Sequence, residues 1–236
     1  MLVKNRKRFW SGLFFGASFL VVLLLLFSPV FDGRNGLEFA DDTFNRLAKG
    51  SSYFIPGVSK DVEKVSGSNI SVTIKLEKPD DAARIARLFT MAGTKVDVTQ
   101  STLKMEGNLG VLLLSILRDA DEMFKNNGKS ISERYGYDEK KVLKDWWQGL
   151  SLIAKMLKKE KSLELAKTID EVNKKAVEPA YNFYKIEAQK VSEHVILLSA
   201  LLLFYVVYTM WWGYSIFYTF EGVGLNMRKS KIKKEV

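Results

Sequence analysis

The chain has 236 residues, no cysteine, one histidine and a formal net charge of +9. Without cysteine there are no disulfides, thiolate zinc sites, iron–sulfur clusters, covalently attached haems or cysteine nucleophiles, and His194 alone does not build a two-histidine haem site or a histidine-rich zinc site within one chain. The basic surplus sits mainly in two short tails rather than on a folded face, so no nucleic-acid partner is expected.

In chain order, residues 1–8 form a basic tail carrying Lys4, Arg6, Lys7 and Arg8 and no acid. Residues 9–31, Phe9 to Phe31, are free of charge. A run of this length exceeds the roughly 20 apolar residues that a helix needs to cross a bilayer core, and backbone in that medium must satisfy its own hydrogen bonds, so a first transmembrane helix is expected here. A cleaved signal peptide is the rival, but its apolar region is typically shorter and ends in a small-residue site, which Ser28-Pro29-Val30-Phe31 does not supply. Gly12 and Gly16 form a G-x-x-x-G step of the kind that lets helices approach closely, and Gly213 lies at the matching depth of the second apolar run. These three are the candidate helix-packing positions.

Residues 32–68 read as a membrane-proximal helix and an aromatic loop. Phe39, Ala40, Phe44 and Leu47 make an apolar stripe behind Asp41-Asp42, and Tyr53-Phe54 follow in the loop. Side chains of this type pack on a domain, dip into a lipid interface or meet a partner; Phe39, Phe44, Tyr53 and Phe54 are the candidate partner contacts.

Residues 69–128 read as an α+β domain. Ile70, Val72, Ile74 and Leu76 alternate with polar residues, which predicts a half-buried strand. Pro79-Asp80-Asp81 opens a helix that runs to Gly93. Two short alternating runs around Val96 and Leu103 predict a hairpin, and Leu109 to Asn126 a core helix. The order β-α-β-β-α resembles part of a ferredoxin-like unit, a likeness of topology that implies no function. Asp119, Asp121 and Glu122 fall where a solvated helix face is expected, Asp41-Asp42 and Asp80-Asp81 where helices should begin, and Gly128-Lys129-Ser130 lacks the earlier glycine of a phosphate-binding loop and reads as a turn ending a helix.

Residues 129–194 read as a helical segment. Val142, Trp146, Leu150, Ile153 and Leu157 share one stripe, Ser162 restarts a helix, and Pro179 should kink or divide it. The stripe continues toward Val195, which predicts a helix unbroken from about Ala180 to Phe220. Residues 195–220 are again free of charge and form the second expected span. Trp211, Trp212, Tyr214 and Tyr218 make an aromatic belt near its end, and residues 221–236 form a second basic tail with Arg228, Lys229, Lys231, Lys233 and Lys234.

The tails carry net charges of +4 and +3, and the segment between the spans only +2. The positive-inside rule then places both termini in the cytoplasm and the middle domain outside it. The fold expected is a membrane protein with two transmembrane α-helices flanking an α+β extracytoplasmic domain, in a bacterial inner membrane with the domain periplasmic. Lys233-Lys234-Glu235-Val236 resembles a dilysine retrieval signal of the endoplasmic reticulum, although any lysine-rich tail produces that pattern. No serine-hydrolase elbow, EF-hand or ionisable residue inside a span is present. No enzyme activity and no cofactor are expected; the partners expected are the lipid bilayer and other membrane proteins or a second copy. The function expected is that of a non-catalytic accessory or scaffold subunit. The layout is also similar to that of polysaccharide co-polymerases that regulate chain length, which would imply a homo-oligomer; a periplasmic sensor acting through a partner is a third reading, and a hydrolase built on the acidic pairs a fourth.

Overall fold

The computed structural model describes residues 3–225. The second basic tail from Arg228 onward lies outside the described residues. The chain is mostly helical α+β with one three-stranded antiparallel sheet, and it divides into two compact units, Met1–Phe44 with Lys190–Val236 and Asn45–Gln189.

Helix α1 (Arg6–Phe27) starts at Asn5, whose Oδ1 accepts the Arg8 amide at 3.1 Å, and stops at Ser28, ahead of Pro29. A tight turn with Asp32 and Gly33 at positive φ leads to α2 (Gly36–Ser51). Asn35 caps that helix through its Oδ1, which accepts the Leu37 and Glu38 amides, while the Glu38 carboxylate accepts the Asn35 amide at 3.0 Å. The helix therefore begins earlier than Asp41-Asp42, which stand in its second turn, because a reciprocal cap at Asn35 satisfies the first amides.

In the second unit, α3 (Ile55–Lys64) carries Pro56 in its first turn and buries Ile55, Val58 and Val62. Strand β1 (Asn69–Lys75) alternates as its sequence does, with Ile70, Val72 and Ile74 inward. Helix α4 (Pro79–Met91) has Asp80 and Asp81 in its first turn, where carboxylates complement the helix dipole. The hairpin β2 (Lys95–Thr99) and β3 (Thr102–Asn108) completes the sheet in the order β1-β3-β2. Both pairings are antiparallel, so β1 and β2 run parallel on either side of β3 and α4 makes the crossover between them. Cross-strand rows Val72–Met105–Val96 and Ile74–Leu103–Val98 form one face. The other face aligns Ser71–Glu106–Lys95 and Thr73–Lys104–Asp97, with opposite charges adjacent and in water.

Helix α5 (Leu109–Phe124) buries Leu109, Leu112, Leu113, Ile116 and Leu117, while Val111 and Leu114 remain half-exposed. Asp119 is not on a solvated face: it is fully buried, and its carboxylate accepts from Tyr135 Oη at 2.5 Å, from Trp146 Nε1 at 3.0 Å and from the Arg134 guanidinium. A charge stays in a core when its lone pairs are met this way; Asp121 and Glu122, on the same turn, are partly exposed. Gly128 does not end a helix but opens α6 (Gly128–Tyr135). A side chain there would collide with the Tyr184 hydroxyl, which donates to Glu139 at 2.8 Å directly above it.

Helix α7 (Glu139–Lys159) is capped by Asp138 and drives Trp146 into the centre, edge-on to Phe89 at 5.0 Å. Full burial of a side chain of this size contributes about 3 kcal/mol. A second buried acid, Asp145, accepts from Arg84 Nε at 2.5 Å and from Tyr137 at 3.1 Å, tying α7 to α4. Helix α8 (Leu163–Val172) runs into a π turn at Asn173–Val177, followed by α9 (Glu178–Asn182). Pro179 explains the widening: it has no amide to donate to the preceding turn, and its ring needs room there.

The helix does not continue to residue 220. It stops at Asn182, Lys185 takes φ 67°, residues 186–190 are non-helical, and a 3₁₀ turn at Val191–Glu193 precedes α10 (Val195–Val223). Hydrophobic spacing alone does not register the cation that captures the carbonyls of this segment. In the first unit α1 and α10 pack antiparallel: Lys4 and Asn5 amides donate to Gly222 O at 2.9 Å, Arg8 pairs with Glu221 at 3.3 Å, Ser215 Oγ donates to Gly12 O at 2.9 Å, and Phe19 stacks on Tyr208 at 4.2 Å. Both are long and apolar enough to cross a membrane, with mean hydropathies of 2.3 and 2.0.

Candidate functional site

The segment that leaves α9 is held by a side chain far away in sequence. The last turn of α2 presents Lys49, and the end of α5 presents Asn126 at φ 65°, a left-handed position that asparagine tolerates well. Between them pass residues 183–189. Lys49 Nζ donates to Ile186 O at 2.6 Å, to Asn126 Oδ1 at 2.9 Å and to Phe183 O at 3.1 Å. Asn126 Nδ2 donates to Ile186 O at 3.1 Å, and its Oδ1 also accepts the Lys185 amide at 2.9 Å. All three ammonium protons thus meet an oxygen, and the amine lies 5.2 Å from the centre of the Phe124 ring. Burial pulls the Lys49 pKa below its ordinary value, against the opposing charge of Glu187.

Gly50 completes this neck. A side chain there would overlap the backbone of Gln189, whose amide donates to Arg46 O at 3.0 Å. The chain therefore enters the Asn45–Gln189 unit and leaves it side by side.

A cavity of about 360 Å³ opens beside the clamp, lined by Lys49, Tyr53, Phe124, Lys125, Asn126 and Glu187 among others. Tyr53 packs its ring on Phe124 at 5.4 Å and donates its hydroxyl to Asp121 at 2.7 Å. Lys125 closes the set with a 2.5 Å pair to Asp121. The hydrogen bond to that carboxylate raises the Tyr53 pKa, so the phenol is a proton donor rather than a base. The rim can offer the Tyr53 hydroxyl, the exposed Lys125 ammonium and an aromatic face to a partner, whereas the Lys49 ammonium is buried and spent on the clamp.

Of the four aromatic residues expected at a partner contact, Tyr53 and Phe54 are both about half-exposed, Tyr53 on this cavity and Phe54 at the start of α3. Phe44 is half-exposed on α2, and Phe39 stacks on Phe31 at 5.2 Å. Among the packing candidates, Gly12 is buried against Ser215 and Thr219, and Gly16 faces the Ser215 hydroxyl. Gly213 faces open space; the small residue opposite Gly12 is Ser215. Sequence pattern does not single out Lys49 or Asn126. The one signal it carries is Asn126-Asn127-Gly128 directly after an apolar helix, a favoured helix exit.

Among the described residues, no group of three or more His, Cys, Asp or Glu side chains converges as metal ligands would. Comparison of the chain with protein-family models, with curated proteins and with solved structures found no match.

Proposed function

We propose that this chain is a two-span membrane protein whose termini lie in the cytoplasm and whose α+β domain is extracytoplasmic, in a bacterial inner membrane. It acts there as a non-catalytic accessory or scaffold subunit that offers the domain to another membrane protein. The observation that carries this reading is the α1–α10 pair. Its inner seam is small or aromatic, whereas its outer surface is unshielded hydrocarbon: Phe14 is 70% exposed, Leu24 67% and Ile196 88%. A surface of that kind is unstable in water and matches a lipid environment. Its charged residues gather at the ends, with Lys4, Arg6, Lys7, Arg8 and Glu221 at one and Asp32, Arg34, Lys190 and Glu193 toward the other. The half-exposed Tyr53 and Phe54 supply the proposed contact with the partner, since aromatic anchors dominate such interfaces.

The absence of natural cysteine makes the test direct. Lys7→Cys and Lys60→Cys, both at exposed positions, are treated with a membrane-impermeant maleimide on intact spheroplasts. Labelling of Lys60→Cys before lysis and of Lys7→Cys only after lysis supports the topology; the reverse pattern overturns it. Purification in mild detergent then reads the second half of the proposal. A heterologous protein that co-purifies, and is lost in Tyr53→Ala/Phe54→Ala, supports the scaffold. A large ring of this chain alone favours the co-polymerase-like alternative.

A further inference from the structure

A second cleft lies between α7 and the π turn with α9. It holds about 270 Å³ and is lined by Leu143, Lys144, Trp147, Val177, Glu178 and Tyr181 among others. Leu143 and Val177 form a buried apolar floor. Trp147 and Tyr181 stand as walls and are 43% and 36% exposed, which is unusual for rings of this size beside an apolar hollow. They are held apart. Trp147 Nε1 donates to the Glu178 carboxylate at 2.9 Å, so the indole is fixed by its polar edge. The ammonium of Lys140 sits 5.2 Å from the centre of the Tyr181 ring and fixes the second wall.

The π turn is what brings these groups together. One extra residue per turn rotates everything after Val177 by about 100° relative to an unbroken α-helix, so Glu178 and Tyr181 face Trp147. The turn is itself tied to α7 beside the same indole: Asn173 Nδ2 donates to Ser151 Oγ at 3.1 Å and to Trp147 O at 3.3 Å.

We infer that this cleft binds a short acidic peptide segment of a partner protein, taking one large apolar side chain between Trp147 and Tyr181. Three observations select this occupant. The hollow has room for about one aromatic side chain, and it is open. A small molecule normally has most of its surface buried, which an open hollow of this size does not provide, whereas a peptide anchor needs only its tip covered. The rim carries a net positive charge, because two exposed ammonium groups, Lys140 and Lys144, stand beside the opening against one carboxylate among the lining residues, Glu178, which is turned to the indole. The basic residues of this chain beyond Gly224 have the wrong sign to fill it. The cleft is separate from the Tyr53–Phe54 surface, and its occupancy does not depend on which side of a membrane the domain faces.

The test uses the full chain in detergent micelles and three fluorescein-labelled heptapeptides, GDEFEDG, GDESEDG and GKRFRKG, followed by fluorescence anisotropy. GDEFEDG should bind, with at least about tenfold weaker binding for the serine peptide, which lacks the anchor, and for the basic peptide. Trp147→Ala and Lys144→Glu should each weaken GDEFEDG by about tenfold, while Lys75→Glu, the same charge change on the outer face of the sheet, should leave it unchanged. Lys144 is exposed, so Lys144→Glu reads the site even if Trp147→Ala does not fold. No binding of GDEFEDG at about 1 mM, equal binding of the basic peptide, or equal losses in Lys144→Glu and Lys75→Glu would overturn the inference.

Discussion

Replacing Lys49 with Met keeps the apolar stem and removes only the ammonium from the neck. Three hydrogen bonds of 2.6 to 3.1 Å disappear. None of the acceptors is orphaned. Ile186 O keeps Asn126 Nδ2 at 3.1 Å, Phe183 O keeps the Ile186 amide at 3.1 Å, and Asn126 Oδ1 keeps the Lys185 amide at 2.9 Å. Hydrogen bonds from a charged donor contribute roughly 1.5–3 kcal/mol each, but holding an ammonium in a buried place costs several kcal/mol, so the net loss is about 1–2 kcal/mol. Asn126→Ala is different in kind. It leaves the Lys185 amide without its acceptor, removes one acceptor from Lys49, and puts alanine at φ 65°. The expected loss is about 3–4 kcal/mol, of which roughly 1–2 is backbone strain. Hydrogen exchange followed by mass spectrometry reads this locally. The Lys185 and Gln189 amides should exchange about tenfold faster in Lys49→Met and at least about a hundredfold faster in Asn126→Ala, while the Leu150 amide in α7 is unchanged. If Lys49→Met is the more severe change, or if Leu150 accelerates with the neck, the clamp reasoning is wrong.

Other perturbations follow from the same geometry. Gly12→Leu should separate α1 from α10, because its side chain would overlap Thr219 and the Ser215 backbone, whereas Gly213→Leu should be tolerated. Cross-linking of Arg8→Cys with Glu221→Cys by a short thiol-specific bifunctional reagent, which replaces the reach of the native side chains that meet at 3.3 Å, should fail only in the first background. Asp145→Ala leaves the Tyr137 hydroxyl without its acceptor and Arg84 with Asp81, 2.7 Å away, as its remaining carboxylate, and should cost about 2–3 kcal/mol in urea denaturation of the full chain in micelles. Gly149→Ala should cost about 1–3 kcal/mol in the same assay, since its methyl would meet the Phe89 ring. Asp119 gives a pH signature. Burial raises its carboxyl above the usual 3.8, against hydrogen bonds from Tyr135 and Trp146 and the charge of Arg134. A raised folded pKa makes its contribution complete below 3.8 and lost as pH rises through the folded value. Wild-type stability minus that of Asp119→Asn should therefore fall across this window and level off above it; a difference that rises with pH would contradict the assignment.

The elements that depend on local pattern were legible in the sequence. Two uncharged apolar runs give two long helices, because a segment without polar side chains has no means of satisfying its backbone except internally. The alternation of Ile70, Val72 and Ile74 gives β1, and Pro79-Asp80-Asp81 opens α4, since a two-residue period and a proline with acids at a helix start act within a few residues of chain. Tertiary structure decided what depends on residues distant in sequence. Asp119 has the composition of a solvated face, yet Arg134, Tyr135 and Trp146 converge on it from other helices and make its burial favourable. Apolar spacing runs without interruption from Ala180 into α10, yet Lys49, more than a hundred residues earlier in the chain, takes the carbonyls of Phe183 and Ile186 and the helix ends. Hydrophobic periodicity records which face a residue prefers. It does not record which distant donor will claim a backbone oxygen, and at the neck that competition is what sets the fold.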